Sequence, residues 1–309
     1  MCTFEDPDGS AAGVDLGAQY ISATPQAYLQ HHRFYSSLER SGTLQSFTGV
    51  LDGDPNRHTP GTRHFIPRLG MKSIVTHFLD KSEAAVSYER TVSAVSDEDN
   101  QWCVTDDKTD ESETFDCVVL TMPVPQILEL SGNIQSAIDQ GGLREKLNNV
   151  TYSSRYAMGL FYEAGTEMDV PWTAKYILDD PCVRFVAIDS KKRGLATETV
   201  GPSVVIHTSV PFALDHGQAD TQDICENTVL PATRRLLPQL PQPKSSLSHK
   251  WLYSQVFQSY EGAPGAIIVS KQPLLIFTGD AFLSSTFDGC LECAVKSAQL
   301  VTQHLNGDV

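Results

Sequence analysis

Four consecutive apolar residues, Leu274-Leu275-Ile276-Phe277, run directly into Thr278-Gly279-Asp280, and a helical pattern follows from Asp288 to Leu305. A strand that is apolar without alternation must be covered on both faces, which is the condition of a parallel sheet between helical layers. A second such run, Phe115-Asp116-Cys117-Val118-Val119-Leu120-Thr121, stops at Met122-Pro123-Val124-Pro125. Two strands of this kind, one feeding a long helix, require an α/β layer. The spacing turns Leu291, Ala294, Val295, Ala298, Leu300 and Val301 of the helix inward, with Asp288 as its N-cap.

The middle of the chain has another character. β-like stretches at Tyr156–Glu163, Thr173–Leu178, Cys182–Asp189, Val204–Val210 and Ser248–Val256 surround a single helical pattern near 222–237, which implies a mainly antiparallel sheet. Upstream, Thr24-Pro25 caps a helix carrying Tyr28, Leu29, His32, Tyr35 and Leu38 and ending at Gly42, and Met71 to Leu79 form a second. Glycine and proline make 49–62 a loop before a short strand at Arg63–Ile66, and Ala85–Val95 with Trp102–Thr105 read as a hairpin about the turn at 97–100. At 309 residues the chain is long enough for two domains.

Charge narrows the partners. With 23 Lys and Arg against 38 Asp and Glu, the net charge is −15. Such a field repels phosphate backbones and anionic lipid, so neither nucleic acid nor a membrane is expected as partner. No apolar window reaches bilayer-spanning length, and Met-Cys-Thr-Phe-Glu-Asp-Pro-Asp-Gly puts acid where a signal peptide needs base. Seven cysteines (Cys2, Cys103, Cys117, Cys182, Cys225, Cys290, Cys293) are an odd number set mostly in apolar runs, as in a reduced, cytoplasmic protein.

An acid at the carboxyl end of a parallel strand lies where open α/β sheets bind ligands, so Asp280 is a candidate acceptor for a sugar hydroxyl. The helix start behind it offers a positive dipole end to an electron-rich ring or anion. An ordinary strand-turn-helix accounts for the same residues. Asp15-Leu16-Gly17-Ala18-Gln19-Tyr20-Ile21 is a turn entering an edge strand, and Thr121 to Pro125 a strand stop. Cys290-Leu291-Glu292-Cys293 has neither a second pair for zinc nor a thioredoxin-like context, and the histidines have no metal-ligand spacing. Lys191-Lys192-Arg193 reads as a solvated turn rather than a phosphate clamp, with Arg155 and Arg184 as further cations for a dinucleotide. Tyr156, Phe161, Tyr162, Trp251 and Tyr253 are core aromatics that could also wall a ring-shaped substrate.

Taken in order, Asp15 to Ile21, Val119 to Pro123, Ser153-Ser154-Arg155-Tyr156 with Gly159 to Gly165, Val170-Pro171-Trp172 and Phe287-Asp288-Gly289-Cys290 resemble the renalase family, FAD-dependent oxidases built like the flavin amine oxidases. The resemblance implies that Gln19 and Tyr20 lie on the flavin, that Thr121 and Pro123 flank the nucleotide and that Asp280 binds the ribityl chain. It also implies that Gly289 and Cys290 open the helix facing the isoalloxazine. That family begins with a strand, a Gly-x-Gly-x-x-Gly turn and a helix, about 40 residues that have no counterpart in this sequence and would cradle the pyrophosphate.

The expected fold is therefore α/β: an incomplete FAD-binding Rossmann-like parallel sheet plus a mainly antiparallel substrate domain with helices. Residues 1–24, 67–125 and 265–309 form the FAD-binding domain and 25–66 with 126–264 the substrate domain. The implied activity is oxidation of 2- or 6-dihydro isomers of NAD(P) by molecular oxygen, giving NAD(P)+ and hydrogen peroxide, with no catalytic acid or base named. The alternatives are a truncated, non-catalytic binding or signalling form unable to hold FAD, and an amine oxidase. The family likeness also raises secretion as an alternative location.

Overall fold

The computed structural model describes residues 3–55 and 58–307, so Cys2 lies outside the described residues. The chain forms two compact units, residues 1–84 with 154–254 and residues 85–153 with 255–309. These are units of packing. The division into cofactor and substrate segments at 24, 66, 125 and 264 concerns ligands and stays a proposal.

The first unit is built on a six-stranded sheet in the order Ser245–Gln258, Thr151–Phe161, Ser203–Thr208, Val183–Ile188, Ala174–Tyr176, Leu51–Asp52. The pairs at its centre are antiparallel, and the last pair is parallel. Alternation sorts its side chains. Tyr156, Met158, Leu160 and Tyr162 enter one core, where the helices Val210–Asp215 and Leu230–Leu236 contribute Phe212 and Ala232. Ala157 and Phe161 enter another with Val14, Leu16, Phe185 and Val205. Both faces being covered, these strands read as continuous apolar runs. Val210, expected in a strand, begins a helix instead, because the Ser209 hydroxyl accepts from the Phe212 amide at 3.2 Å and Pro211 suits the first turn.

The expected helix from Thr24 is two, Pro25–Gln30 and His32–Arg40, broken at His31 (φ −105°, ψ 20°). Its cap is as read: the Thr24 hydroxyl accepts from the Ala27 amide at 3.1 Å. The second helix runs Lys72–Ser82. A small sheet pairs Arg63–Pro67 with both Ile21–Ala23 and Leu44–Ser46.

In the second unit Cys117–Leu120 and Leu274–Thr278 pair in parallel, Cys117 opposite Leu274 and Leu120 opposite Phe277, and Ala266–Lys271 adds antiparallel on the far side. The Leu274–Thr278 strand is buried throughout. The other apolar run is not: Cys117–Leu120 is an edge strand with one paired neighbour, which leaves Val119 38% exposed, and Phe115, 41% exposed, ends a strand of another sheet. Three antiparallel strands, Val92–Glu98, Gln101–Asp106 and Ser112–Phe115, flank this sheet in sequence. The hairpin turn is Asp99-Asn100, both left-handed (φ 51° and 67°), whereas residues 85–91 form no strand.

The C-terminal helix spans Phe287–Leu305 and is capped by Thr286, whose hydroxyl accepts from the Gly289 amide at 3.0 Å, not by Asp288. Its inward stripe is also rotated from expectation. Gly289, Leu291, Cys293 and Ser297 are buried while Ala294 and Ala298 face outward, and Leu300 and Val301 are partly covered against Leu274 and Ile276. Small residues let the helix lie close on the strands: Thr278 Oγ1 donates to the Cys293 carbonyl at 3.4 Å and Cys293 Sγ to the Gly279 carbonyl at 3.2 Å.

Candidate functional site

The two parallel strands of the second unit end together. Beyond Leu120 lie Thr121, exposed, and Pro123, partly covered; beyond Thr278 lie Gly279 and Asp280. Gly279 has φ +113°, and a Cβ there would meet the Thr121 carbonyl oxygen at 3.0 Å, so glycine is needed both for the backbone angle and for the approach of the two strand ends. Asp280 is partly exposed. Its Oδ2 accepts from Ser285 Oγ at 2.7 Å, and Ser285 Oγ itself accepts from the Val256 amide at 2.7 Å. This relay fixes the carboxylate plane and leaves Oδ1 without a bond among the described residues.

Gly289 and Cys290 open the helix that follows these strand ends. A Cβ on Gly289 would strike Ser284 at 2.4–2.5 Å, so the loop can fold over the helix start only with glycine there. The Gly289 and Cys290 amides serve the cap, bonding Thr286 Oγ1 and the Thr286 carbonyl, both at 3.0 Å. The positive dipole end is then what the turn presents to a ligand. The structure thus brings Thr121, Pro123, Asp280, Gly289 and Cys290 to one end of one sheet. Glycine close approach, an oriented carboxylate and a positive helix end are the chemistry that a flavin's ribityl chain and ring require, and these residues fit it.

Gln19 and Tyr20 belong to the first unit. Gln19 is buried and closes its own turn: Nε2 donates to the Asp15 carbonyl at 2.5 Å and the Gly17 carbonyl at 2.9 Å. Its Oε1 accepts from Lys192 Nζ at 3.1 Å. The Leu16 carbonyl in that turn accepts twice, from His207 Nε2 at 2.9 Å and Trp251 Nε1 at 2.8 Å. Tyr20 OH meets Tyr176 OH at 2.6 Å, and burial together with this partner pushes the Tyr20 phenol up, so it stays protonated.

Beneath the turn lies a charged cluster that sequence reasoning missed. Asp15 and Asp189 are fully buried and Lys192 and Arg193 nearly so. Lys192 Nζ stands 2.5 Å from Asp189 Oδ1 and 3.6 Å from Asp15 Oδ2, and Arg193 Nη2 lies 2.6 Å from Asp189 Oδ2. Arg193 also donates to the Gly13 carbonyl. Asp15 Oδ1 accepts from Thr3 Oγ1 at 2.6 Å and the Met71 amide at 2.9 Å. The expectation of a solvated turn at Lys191-Lys192-Arg193 is therefore corrected. Two acids and two bases neutralise each other in the interior, and only the spacing of Asp189 from Lys192 and Arg193 on one helical turn hinted at it.

His207 sits under the same turn. Burial, with Arg155 and Lys192 nearby, depresses it to about 4 although its bond to Leu16 opposes this. A histidine held neutral in the folded state takes up a proton sooner when unfolded, so folding loses stability as pH falls from about 6.5 to about 4. The loss attributable to His207 is up to about 3 kcal/mol across that window. His207→Gln is expected to flatten this part of the curve in urea melts taken at successive pH values; an unchanged slope would show that the ring is not held neutral.

Among the described residues no three His, Cys, Asp or Glu side chains are grouped to hold a metal ion, and no helix is long and apolar enough to cross a membrane. Residues 14–304 match the family described as flavin containing amine oxidoreductase. The chain belongs to that family. Within the flavin amine oxidoreductases it is 39% identical to mouse (Mus musculus) renalase over 305 residues, covering 99% of this chain and 88% of the relative. This supports a renalase-like flavoprotein and a flavin-dependent oxidoreductase. Among solved structures, a putative protoporphyrinogen oxidase from Exiguobacterium superposes with TM-score 0.59 at 14% identity, covering 91% of this chain and 59% of that one. A putrescine oxidase bound to putrescine gives 0.57 at 13% identity over 78% of this chain and 54% of that one. These two establish the mixed α/β flavin-oxidase fold. The chain spans less than two thirds of either.

Proposed function

We propose that the protein is an FAD-dependent oxidase of isomeric dihydronicotinamide dinucleotides, 2- or 6-dihydro-NAD(P). The observation that carries this reading is the 39% identity to renalase over 305 residues. The close strand ends and the oriented carboxylate at Thr121 and Asp280 support it by offering what a flavin needs. A bound flavin would supply the two-electron chemistry, hydride uptake from the substrate and reduction of oxygen. In sum, one dihydro isomer, one proton and one O2 give NAD(P)+ and hydrogen peroxide.

This chain's own contribution is placement. Asp280 holds the ribityl chain, Thr121 and Pro123 border the nucleotide, and Gly289 and Cys290 set the helix dipole toward the ring. Hydride transfer between stacked rings asks for alignment and exclusion of water rather than a general base, so no side chain is given that role. The test is to mix the flavin-loaded protein with each dihydro isomer in air and measure peroxide and NAD(P)+. Equal yields of the two products are expected. Peroxide from a primary amine but from neither isomer would overturn the substrate and favour an amine oxidase.

A further inference from the structure

We infer that Arg155 and Arg184 form a subsite for a phosphate of the substrate, on the Tyr20–Tyr176 side of the six-stranded sheet. This deepens the dinucleotide reading above and rests on it.

The two arginines flank the Ser203–Thr208 strand at its C-terminal end, Arg155 on the Thr151–Phe161 strand and Arg184 at the register shift between Val183 and Phe185. Each spends a single described hydrogen bond on the protein: Arg155 Nη1 donates to the Thr208 carbonyl at 3.0 Å and Arg184 Nη1 to the Leu178 carbonyl at 3.2 Å. A guanidinium has five donors, so most of both forks are open to a ligand. Among the described residues neither has a carboxylate partner, in a protein of net charge −15, and both are partly buried, whereas the other arginines without one, Arg33, Arg40, Arg68 and Arg234, are exposed. Burial and the like charge of Arg184 hold Arg155 below its ordinary value. Two half-buried cations side by side without an anion are costly, and a phosphate relieves that cost.

The surroundings suit a nucleotide. Alternation puts Arg155 on the face of Ala157, whose partner His207 lies 5.7 Å from the Phe185 ring, and Phe185 in turn packs at 4.9 Å on Tyr176. The Tyr20–Tyr176 hydroxyl pair is neutral and His207 is uncharged, so both add polarity without competing for the anion. The nearest acid acting on the tyrosines, Asp54, is paired with His58 at 2.9 Å. The Lys191–Arg193 run cannot serve instead, since Lys192 and Arg193 are consumed by Asp189 and Lys191 Nζ donates to the Val170 carbonyl at 2.7 Å. An ammonium substrate would be repelled here.

The full-length chain is titrated calorimetrically with β-NAD+ and, separately, with phosphate-free dihydronicotinamide riboside. Arg184→Gln, and Arg155→Gln with Arg184→Gln, are expected to weaken β-NAD+ about 10-fold to 100-fold, with riboside binding unchanged and wild-type binding of β-NAD+ displaced by inorganic pyrophosphate. The single Arg184→Gln keeps the test decisive if the double variant does not fold. Binding of β-NAD+ that ignores both variants overturns the subsite alone. Failure of β-NAD+ to bind the wild type overturns the dinucleotide reading with it. A fall in visible flavin absorbance per protein in Arg184→Gln would give the phosphate to the cofactor and overturn its assignment to substrate.

Discussion

Replacing Asp189 with alanine is expected to destabilise the 1–84 and 154–254 unit by about 3–5 kcal/mol, because it leaves Lys192 and Arg193 charged, buried and without their shared partner. The loss should appear in urea unfolding followed by tryptophan fluorescence, since Trp172 and Trp251 belong to that unit. Arg193→Ala added to Asp189→Ala should cost less than the sum of the two, as expected for groups in contact. A loss under about 1 kcal/mol, the range of exposed ion pairs, would mean that water reaches the cluster. Because Lys192 also holds Gln19 Oε1, Lys192→Met should loosen the turn that carries Tyr20.

Asp280→Ala is expected to weaken flavin retention about 10-fold to 100-fold, the value of a hydrogen bond to a charged acceptor. Ser285→Ala, which frees the carboxylate to rotate but leaves it in place, should cost only several-fold. The measurement is flavin absorbance remaining after dialysis against a dilution series. Retention identical to wild type in Asp280→Ala would remove the ribityl assignment, while leaving the fold and the family membership untouched.

Much of this was legible along the chain. The Leu274–Thr278 strand announced itself because a run that is buried on both faces has no reason to alternate, and the Gly279-Asp280 pair after it has a specific backbone and charge requirement. What stayed hidden depended on neighbours distant in sequence. Cys117–Leu120 has the same apolar run yet stands at a sheet edge, a position set by strand order and not by its own residues. Lys192 and Arg193 look like surface charge because what buries them is distant in sequence: Lys192 reaches Asp15 and Arg193 the Gly13 carbonyl, although their shared partner Asp189 is near. The helix stripe was misjudged for a different reason: Cys293 and Ser297 are small and polar, and Ser297 satisfies itself by donating to the Cys293 carbonyl at 2.7 Å, so burial costs it little.

The strand Cys117–Leu120 has a last consequence, for the behaviour of many molecules together. A rim with apolar Val119 and Phe115 beside it is a template on which a foreign strand can crystallise its own ladder. What holds copies apart is their mutual repulsion at net charge −15. Colloidal fate and acidity are thereby tied: as carboxylates take up protons toward pH 4, that shield thins while the sticky rim stays as it was.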